Sequence, residues 1–532
     1  MKHASVLLRV LCLMLAAVLC CGILASCGET EETSSTAPGN TSKEPNEYSE
    51  SLAGEYTDEK GNYVAKTSGN TYGKTTVKFL TCGVNATYNS ELTYNDYANP
   101  TPTTNVNEQI PEVINKAYKD RNALVEEQLD IIIEEEYVFD GKRKNADMCN
   151  RIRTDNLAYS GDYHVVVPCL YDGATLAQEG HLLNLYDLPG IQMEAPWWEQ
   201  FFNKEMTIAG QLYFTIGDIG TINKSSSAAL TFNKTLYLEN NLDAKYGGLP
   251  YDLVRDGKWT LDIALQMTQE FSDDVNDDGT IDYEDLVGWS GQLDDMWSLF
   301  YGSGSKLAST DTADGYPVLT AYSQRSSVVM EKMQTLVQDK EHYLSANDYF
   351  GVVQWPSVLL RDNFIAGQSL FYNGSVSTPM ELGDMEQNYG LLPIPKADES
   401  QENYFSLVNP WTSTCFAVPT SVKDADLEMV ADFLNAMGAA SANIVSPAYI
   451  EQCLEYMKTR DDDTIDMIEH YILPGRGCDI GMIFAWGNLD TMLHDMASQP
   501  LGTFSSNYQT RESAAQAALD ETIGFFKELA EK

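Results

Sequence analysis

The chain has 532 residues, with 34 Lys and Arg against 78 Asp and Glu, and a formal net charge of −44. That length exceeds one ordinary domain and predicts two lobes or more. Apolar residues at 43% allow a sizeable core and argue against global disorder. The acidic balance argues against nucleic-acid binding and against electrostatic docking on anionic lipid, both of which need clustered Lys and Arg.

Lys2 and Arg9 give a short basic start, and Val10 to Ser26 carries no charge. Leu24-Ala25-Ser26-Cys27 then places small residues at a cleavage point. Residues 1–26 read as a secretory signal and not a membrane span. The Cys directly after Leu-Ala-Ser resembles a bacterial lipoprotein signal, with Cys27 lipidated at the mature N-terminus; the alternative is an ordinary signal with an incidental Cys27. The expected location is the outer face of the cell membrane, held by acyl chains such as palmitate. Residues 27–74 are rich in Glu, Ser, Thr, Gly and Asn, and predict a flexible tether. No other apolar run is long enough to span a bilayer.

Of ten cysteines, Cys82, Cys149, Cys169, Cys415, Cys453 and Cys478 remain beyond the signal and Cys27. No CxxC pair occurs, so a zinc ribbon or redox motif is unsupported. Disulfides and buried thiols both stay open.

Globular character starts near Thr75. Thr76-Val77-Lys78-Phe79-Leu80 alternates as a strand, Ile110–Gln128 is helix-like, and Ile131-Ile132-Ile133 reads as the next strand. Cys149–Ala158 is helix-like, and Tyr163–Pro168 is an apolar run of buried-strand type. Strand, helix, strand, helix, strand predicts an α/β layer with parallel strands. Later segments are mostly helical, and the last, near Arg511–Lys532, has Leu519, Ile523, Phe526 and Ala530 on one face.

Residues 274–285 fit a twelve-residue EF-hand loop. Asp274, Asn276 and Asp278 fill positions 1, 3 and 5, Gly279 makes the turn, Thr280 offers its carbonyl, and Asp282 and Asp285 fill positions 9 and 12. Asp285 stands where a bidentate Glu is usual. Carboxylates this crowded repel one another without a cation, so the loop predicts a structural Ca2+ ion, kept filled by extracellular calcium.

Signals for catalysis are weak. His3, His164, His181, His342, His470 and His494 form no HExxH. Gly288-Trp289-Ser290-Gly291-Gln292 lacks the last Gly of a nucleophile elbow. Gly69–Thr75 has a P-loop gap one residue short and no preceding strand. Paired carboxylates of glycosidase type stay open, because 78 acidic residues offer many pairs.

Several ordered segments resemble the extracellular solute-binding proteins of ABC sugar importers, the superfamily of maltose-binding protein. They are Gly161-Asp162-Tyr163-His164-Val165-Val166-Val167 with Gly180–Leu185; Pro196-Trp197-Trp198; Gly210-Gln211-Leu212-Tyr213; Thr231-Phe232-Asn233-Lys234; Gly257–Asp262; Phe364–Gln368; and Tyr389–Lys396. The calcium loop departs from the maltose binders. The resemblance implies a two-lobed α/β periplasmic-binding-protein-like fold of type II, with discontinuous lobes joined by a hinge. It implies residues 75–220 and 372–413 in one lobe and 221–371 and 414–532 in the other, with crossings near 216–225, 370 and 412.

Sugars offer an apolar face to aromatic rings and a hydroxyl rim to polar side chains. By position in the family pattern, Trp297 and Trp486 are the expected stacking rings. Tyr171 and Asp172 follow a strand end, where ligands bind in α/β sheets. Asn373, Asn409 and Trp411 lie at expected hinge positions. Trp197, Trp198 and Trp259 read as structural. The resemblance implies a monomeric, non-enzymatic receptor that binds a sugar or oligosaccharide and passes it to an ABC permease. The alternatives are a lipid-anchored glycoside hydrolase using two cleft carboxylates and a calcium-ordered adhesion module.

Overall fold

The alternation at the start of the globular part becomes strand β1 (Thr75–Cys82), whose Val77 and Phe79 are fully buried. Helix α1 (Glu112–Leu129) leads into β2 (Ile131–Val138), and α2 (Ala146–Ala158) leads into β3 (Val165–Val167). Both outer strands pair parallel with β1, Val77 opposite Ile133 and Phe79 opposite Val165, giving the order β2-β1-β3. Parallel neighbours need a crossover, and the helices supply it. The computed structural model describes residues 55–82, 112–138, 146–383, 385–455, 457 and 461–531. The expected signal, Cys27 and the tether up to residue 54 lie outside these.

After β3 the chain forms α3 (Leu170–Gln178) and later enters a second sheet. Its strands are β4 (Ala228–Asn233), β5 (Ser272–Asp273), β6 (Leu286–Gly291), β7 (Tyr343–Ser345), β8 (Ser369–Ser375) and β9 (Tyr389–Leu392). The order is β9-β4-β8-β6-β5, with β7 also on β6. Strand β4 is buried at every position, which is why Ala-Ala-Leu-Thr-Phe-Asn shows no polar face. Trp259 anchors this core: its Nε1 donates to Pro393 O at 2.9 Å, and its ring meets Phe371, which also meets Trp289. Trp197, Trp198 and Trp259 are buried core residues, as expected.

The strand pairing corrects the expected partition. Residues 372–375 lie in β8, and β9 pairs antiparallel with β4, so both stretches belong to the second sheet. The chain from 414 returns to the first: Ala417 bridges Val166, and Phe416 bridges Thr215. Helix α5 (Leu427–Glu455) continues there, with Phe433 against Phe79. Residue 370 is inside a strand and is no crossing. Beyond α5, Asp461 accepts from Tyr251 OH at 2.8 Å in the second lobe. Short motifs in order do not say which open sheet edge a returning segment completes. Near the C-terminus, α4 (Asp295–Gly302) is met by α6 (Leu489–Met496), and α7 (Phe504–Ala530) touches both α3 and the strand at 318–319. Leu519 and Phe526 are buried there, as the periodicity predicts.

The second half of the expected tether is instead a strap on the first lobe. Tyr56 is 2% exposed, packs edge-on against Trp197 at 5.4 Å and donates to Glu194. Tyr63 exchanges two hydrogen bonds with the Asn443 side chain, and Lys66 N donates to Gln192. Asp432 on α5 accepts from Ser68 N at 2.9 Å and from Tyr72 OH at 2.7 Å. Composition missed this because the partners are side chains over a hundred residues away.

Cys82, Cys149, Cys169, Cys415 and Cys478 are buried, and no disulfide joins them. Among the described residues no helix is long and apolar enough to cross a membrane. Asp432→Ala should lower stability by about 2 kcal/mol through lost charge-assisted hydrogen bonds, and the melting temperature by roughly 2–4 °C. Limited proteolysis should then cut first within residues 55–74; an unchanged cleavage pattern would contradict the strap.

Candidate functional site

The C-terminal end of β3 runs into Pro168, Cys169 and the first turn of α3, which carries Tyr171. Facing it is the crossing at 408–414. Val408 N donates to Gly477 O and Asn409 N to Ser226 O on one side, while Cys415 N donates to Pro168 O on the other. The crossing is therefore fixed at both ends. Between them the half-buried Trp411 meets Tyr171 edge to face, with centroids 5.8 Å apart. Asn409 Oδ1 accepts from Trp411 N at 2.9 Å, and Asn409 Nδ2 donates to Asp294 Oδ2 at 3.2 Å.

Asp294 stands at the N-cap of α4, directly after β6. Its Oδ1 is 3.4 Å from His494 Nε2 on α6. The His494 ring stacks on Trp297 at 4.0 Å, and Trp297 Nε1 donates to Asp490 O at 2.9 Å. Asn373 on β8 completes the wall, donating from Nδ2 to Ser298 Oγ at 3.1 Å. The junction thus joins two sheet ends, one crossing and the C-terminal helices, the strand-end position at which open α/β folds bind ligands.

Local backbone aims α6 at this junction. Ala485, Gly487 and Asn488 all have positive φ, between 51° and 59°. A Cβ at Gly487 would sit 2.6 Å from Ala515 N on α7, so only glycine fits that turn.

Of the residues expected at the site, Tyr171, Trp297, Asn373, Asn409 and Trp411 are brought together. Trp486 does not join them: it is buried, stacks on Phe484 at 5.2 Å, and donates from Nε1 to Thr522 on α7. Asp172 is buried beside Cys149 and Cys169, where burial first and its carboxylate second push the Cys149 thiol up to about 12. Asp294, Ser298, Asp490 and His494 were missed. The rule that found Tyr171, polar residues just after an apolar strand, applies equally to Asp294 after β6.

Burial lowers the His494 pKa, opposed by Asp294, Asp490 and Asp495, so the ring is neutral at neutral pH. Tyr171 is held protonated by burial and then by Asp490. Asp295 accepts from Gln292 N, Tyr343 OH and Trp289 Nε1, yet burial pushes it up to about 7.

The Asp-rich loop is a separate feature. Asp274 accepts from Asp278 N and Gly279 N, Asn276 from Asp278 N, and Asp278 from Thr280 N. Gly279 has φ +83°, the turn conformation expected of it. Asp282 accepts from Glu284 N, and the buried Asp285 accepts from Val275 N and Asp282 N, each at 2.9 Å. The loop is followed by strand β6, where an EF-hand has a helix. Its side chains turn onto its own amides, and among the described residues no three His, Cys, Asp or Glu groups converge closely enough to hold a metal ion. The donor chemistry suits calcium; the convergence is incomplete.

A groove of about 610 Å³ lies elsewhere, between α3 and α7, ringed by Glu179, Glu521 and Glu528 with Phe525. It is open and exposed, and no side chains from the two sheets converge on it, so the junction is the better candidate.

No family model matches the chain, and no curated protein matches it. Solved structures do. Over 83% of its length the chain is similar to the whole of UspC from M. tuberculosis, at 16% identity and a TM-score of 0.50. A cyclo/maltodextrin-binding protein complexed with maltotetraose aligns over 85% of this chain and 96% of its own, at 13% identity and 0.48. The ABC substrate-binding protein Lmo0181 from Listeria monocytogenes, in complex with cycloalternan, aligns over 86% and 99%, at 14% and 0.45. At such identities the likeness concerns fold alone. The chain has the two-lobed α/β fold of periplasmic-binding-protein-like solute-binding proteins.

The folded state holds a proton on Asp295 that the unfolded chain, with a carboxyl near 3.8, releases earlier. Stability contributed by this group is present below about pH 4 and lost as pH rises through about 7. Asp295→Asn should therefore flatten the fall in melting temperature between about pH 5 and pH 8. An unaltered slope in thermal denaturation would show that Asp295 ionises normally.

Proposed function

We propose that this protein is a solute receptor that binds a sugar or oligosaccharide at the junction of its lobes and delivers it to an ABC permease. The observation that carries this reading is the convergence of Tyr171, Trp411, Trp297, Asn373, Asn409 and Asp294 from both sheets and the crossing between them. Rings bind the apolar face of a sugar, and amides and carboxylates bind its hydroxyls. In this reading the walls part and close about the crossings near 217–228 and 408–414, and the solute leaves unaltered. Lipid on Cys27 holds the receptor at the outer membrane face, and the strap fixes the tether to the first lobe.

Titration with a sugar panel should raise the melting temperature for a cognate solute; a hundredfold excess over Kd stabilises by about 2.7 kcal/mol. Trp411→Ala should abolish that shift while leaving the ligand-free melting temperature within a few degrees. A solute that stabilises wild type and Trp411→Ala alike would place the site elsewhere, and turnover of a glycoside would favour the hydrolase reading.

We further propose that residues 274–285 bind Ca2+ as a structural ion, with Asp274, Asn276, Asp278, Asp282, Asp285 and the Thr280 carbonyl as ligands. The amides of the loop already point at Asp274 and Asp278, and the ion would draw the remaining oxygens together. Chelation should lower the melting temperature, and the double substitution Asp274→Ala with Asp278→Ala should remove that response; equal melting with and without chelator would refute the site.

A further inference from the structure

The stretch between β7 and β8 carries a feature that the junction does not use. Residues 349–360 read Tyr-Phe-Gly-Val-Val-Gln-Trp-Pro-Ser-Val-Leu-Leu, with no charged side chain, in a chain where such residues make up 21%. Charges stand only at its base and are paired there, Asp348 with Lys340 at 2.6 Å and Arg361 with Asp362 at 3.1 Å.

The stretch divides into an inward and an outward set. Leu360 is buried with Val287, Leu344 and Ala346; Tyr349 packs on this cluster and meets Tyr283 edge-on at 5.2 Å. Tyr349 O accepts from Val352 N at 2.8 Å and Val353 N at 3.2 Å, and Trp355 O accepts from Val358 N at 3.1 Å, so the turn is bonded within itself. What it holds outward is apolar: Phe350 and Val352 are each 61% exposed, and Trp355 is 68% exposed. The other seven tryptophans are buried or half-buried. Three large apolar side chains presented on one short turn differ from the scattered single exposures that any surface carries.

The chemistry of this tip selects its occupant. A protein partner is recognised through hydrogen bonds and charge as well as apolar area, and from 350 to 358 only Gln354 and Ser357 offer polar side chains. An anionic surface is disfavoured too, since the tip has no cation to offer it and the chain carries −44. An uncharged bilayer interface needs neither: it takes apolar groups by partition, and Trp favours that depth. The chain outside the described residues keeps such a surface within reach. With Cys27 lipidated as proposed above, residues 28–54 span at most roughly 95 Å when extended, whereas a folded body of this size has a radius of gyration of about 23 Å. Either lobe can therefore turn toward the membrane.

We propose that residues 350–358 are a lipid-contacting tip, with Phe350, Val352 and Trp355 entering the interface of a zwitterionic bilayer. The tip sets which side of the second lobe rests on the membrane. This goes beyond the receptor reading and stands or falls separately from it, because it makes no claim on the junction.

Vesicle binding tests this with the chain from residue 27 onward, carrying Cys27→Ser so that no acyl chain contributes. The vesicles are phosphatidylcholine, with and without bromine-labelled acyl chains, and phosphatidylcholine mixed with phosphatidylglycerol. The protein should sediment with phosphatidylcholine alone, gain nothing from phosphatidylglycerol, and hold its binding as NaCl is raised. Brominated lipid should quench part of the tryptophan emission. Trp355→Ser should weaken binding about tenfold or more and remove the quenching; Phe350→Ser should weaken binding while leaving Trp355 in place as the reporter. Both side chains are exposed, so the melting temperature of either variant should match wild type. No sedimentation with phosphatidylcholine, or binding that both variants retain in full, would overturn the tip. Binding that appears only with phosphatidylglycerol and disappears in salt would overturn it in favour of an electrostatic contact. Self-association in sedimentation velocity that Trp355→Ser abolishes, without vesicle binding, would overturn it in favour of a contact between copies.

Discussion

The seven residues from 408 to 414 are tied down at both ends by backbone hydrogen bonds, to Gly477 and Ser226 on the side of the second sheet and from Leu170 N to Ser413 O on the side of the first. A segment so held cannot relax either sheet independently. It sets how far Trp411 projects toward Tyr171 and where Asn409 meets Asp294. The pairing of β9 with β4 and of Ala417 with Val166 follows from the same path, since the chain must leave one open edge before it can complete the other. Fold and candidate site are thus set by a single geometric requirement.

The acidic composition has a spatial meaning that a net charge does not convey. Most carboxylates are solvated or paired with exposed Lys and Arg, and such pairs add little stability. A few are not. Asp295, Asp479 and Glu199 are buried deeply enough for desolvation to push each up to about 7. Glu199 meets Arg476 at 2.7 Å, and Asp479 accepts from Ala308 N and Gly481 N. Asp295 and Asp479 organise local turns by accepting from nearby backbone amides. Asp294 at the junction differs from all three in keeping access to solvent.

Rings were abundant in composition, and the structure separates those that fill space from those that face the junction. Trp197, Trp259 and Trp289 are core, and Trp486 belongs with them because its indole N–H is used by Thr522. Trp297 is as buried as Trp486, with its N–H on Asp490 O and its face on His494, whereas Trp411 is half-buried at the crossing. A tryptophan in a string of letters carries no sign of which kind it is, because the partner that absorbs its N–H lies far away in the chain.

What the sequence determined by itself was local. Alternation gave β1, continuous apolar runs gave β2 and β3, periodicity gave the last helix, and fixed spacing gave the Asp-rich loop with its turn at Gly279. Each depends on neighbours within about a dozen residues, so the pattern is complete in one stretch. Tyr171 was legible from its strand end, and Asn409 and Trp411 from the crossing that the resemblance implies; Trp297 and Asn373 also converge, although one lies inside a helix and the other inside a strand. Only the tertiary structure decided that residues 55–74 form a strap, that 389–392 and 414–419 return to opposite sheets, and that Asp294, Asp490 and His494 share a wall. Those outcomes depend on which distant side chains satisfy buried hydrogen bonds, a pairing problem that no short window of sequence contains.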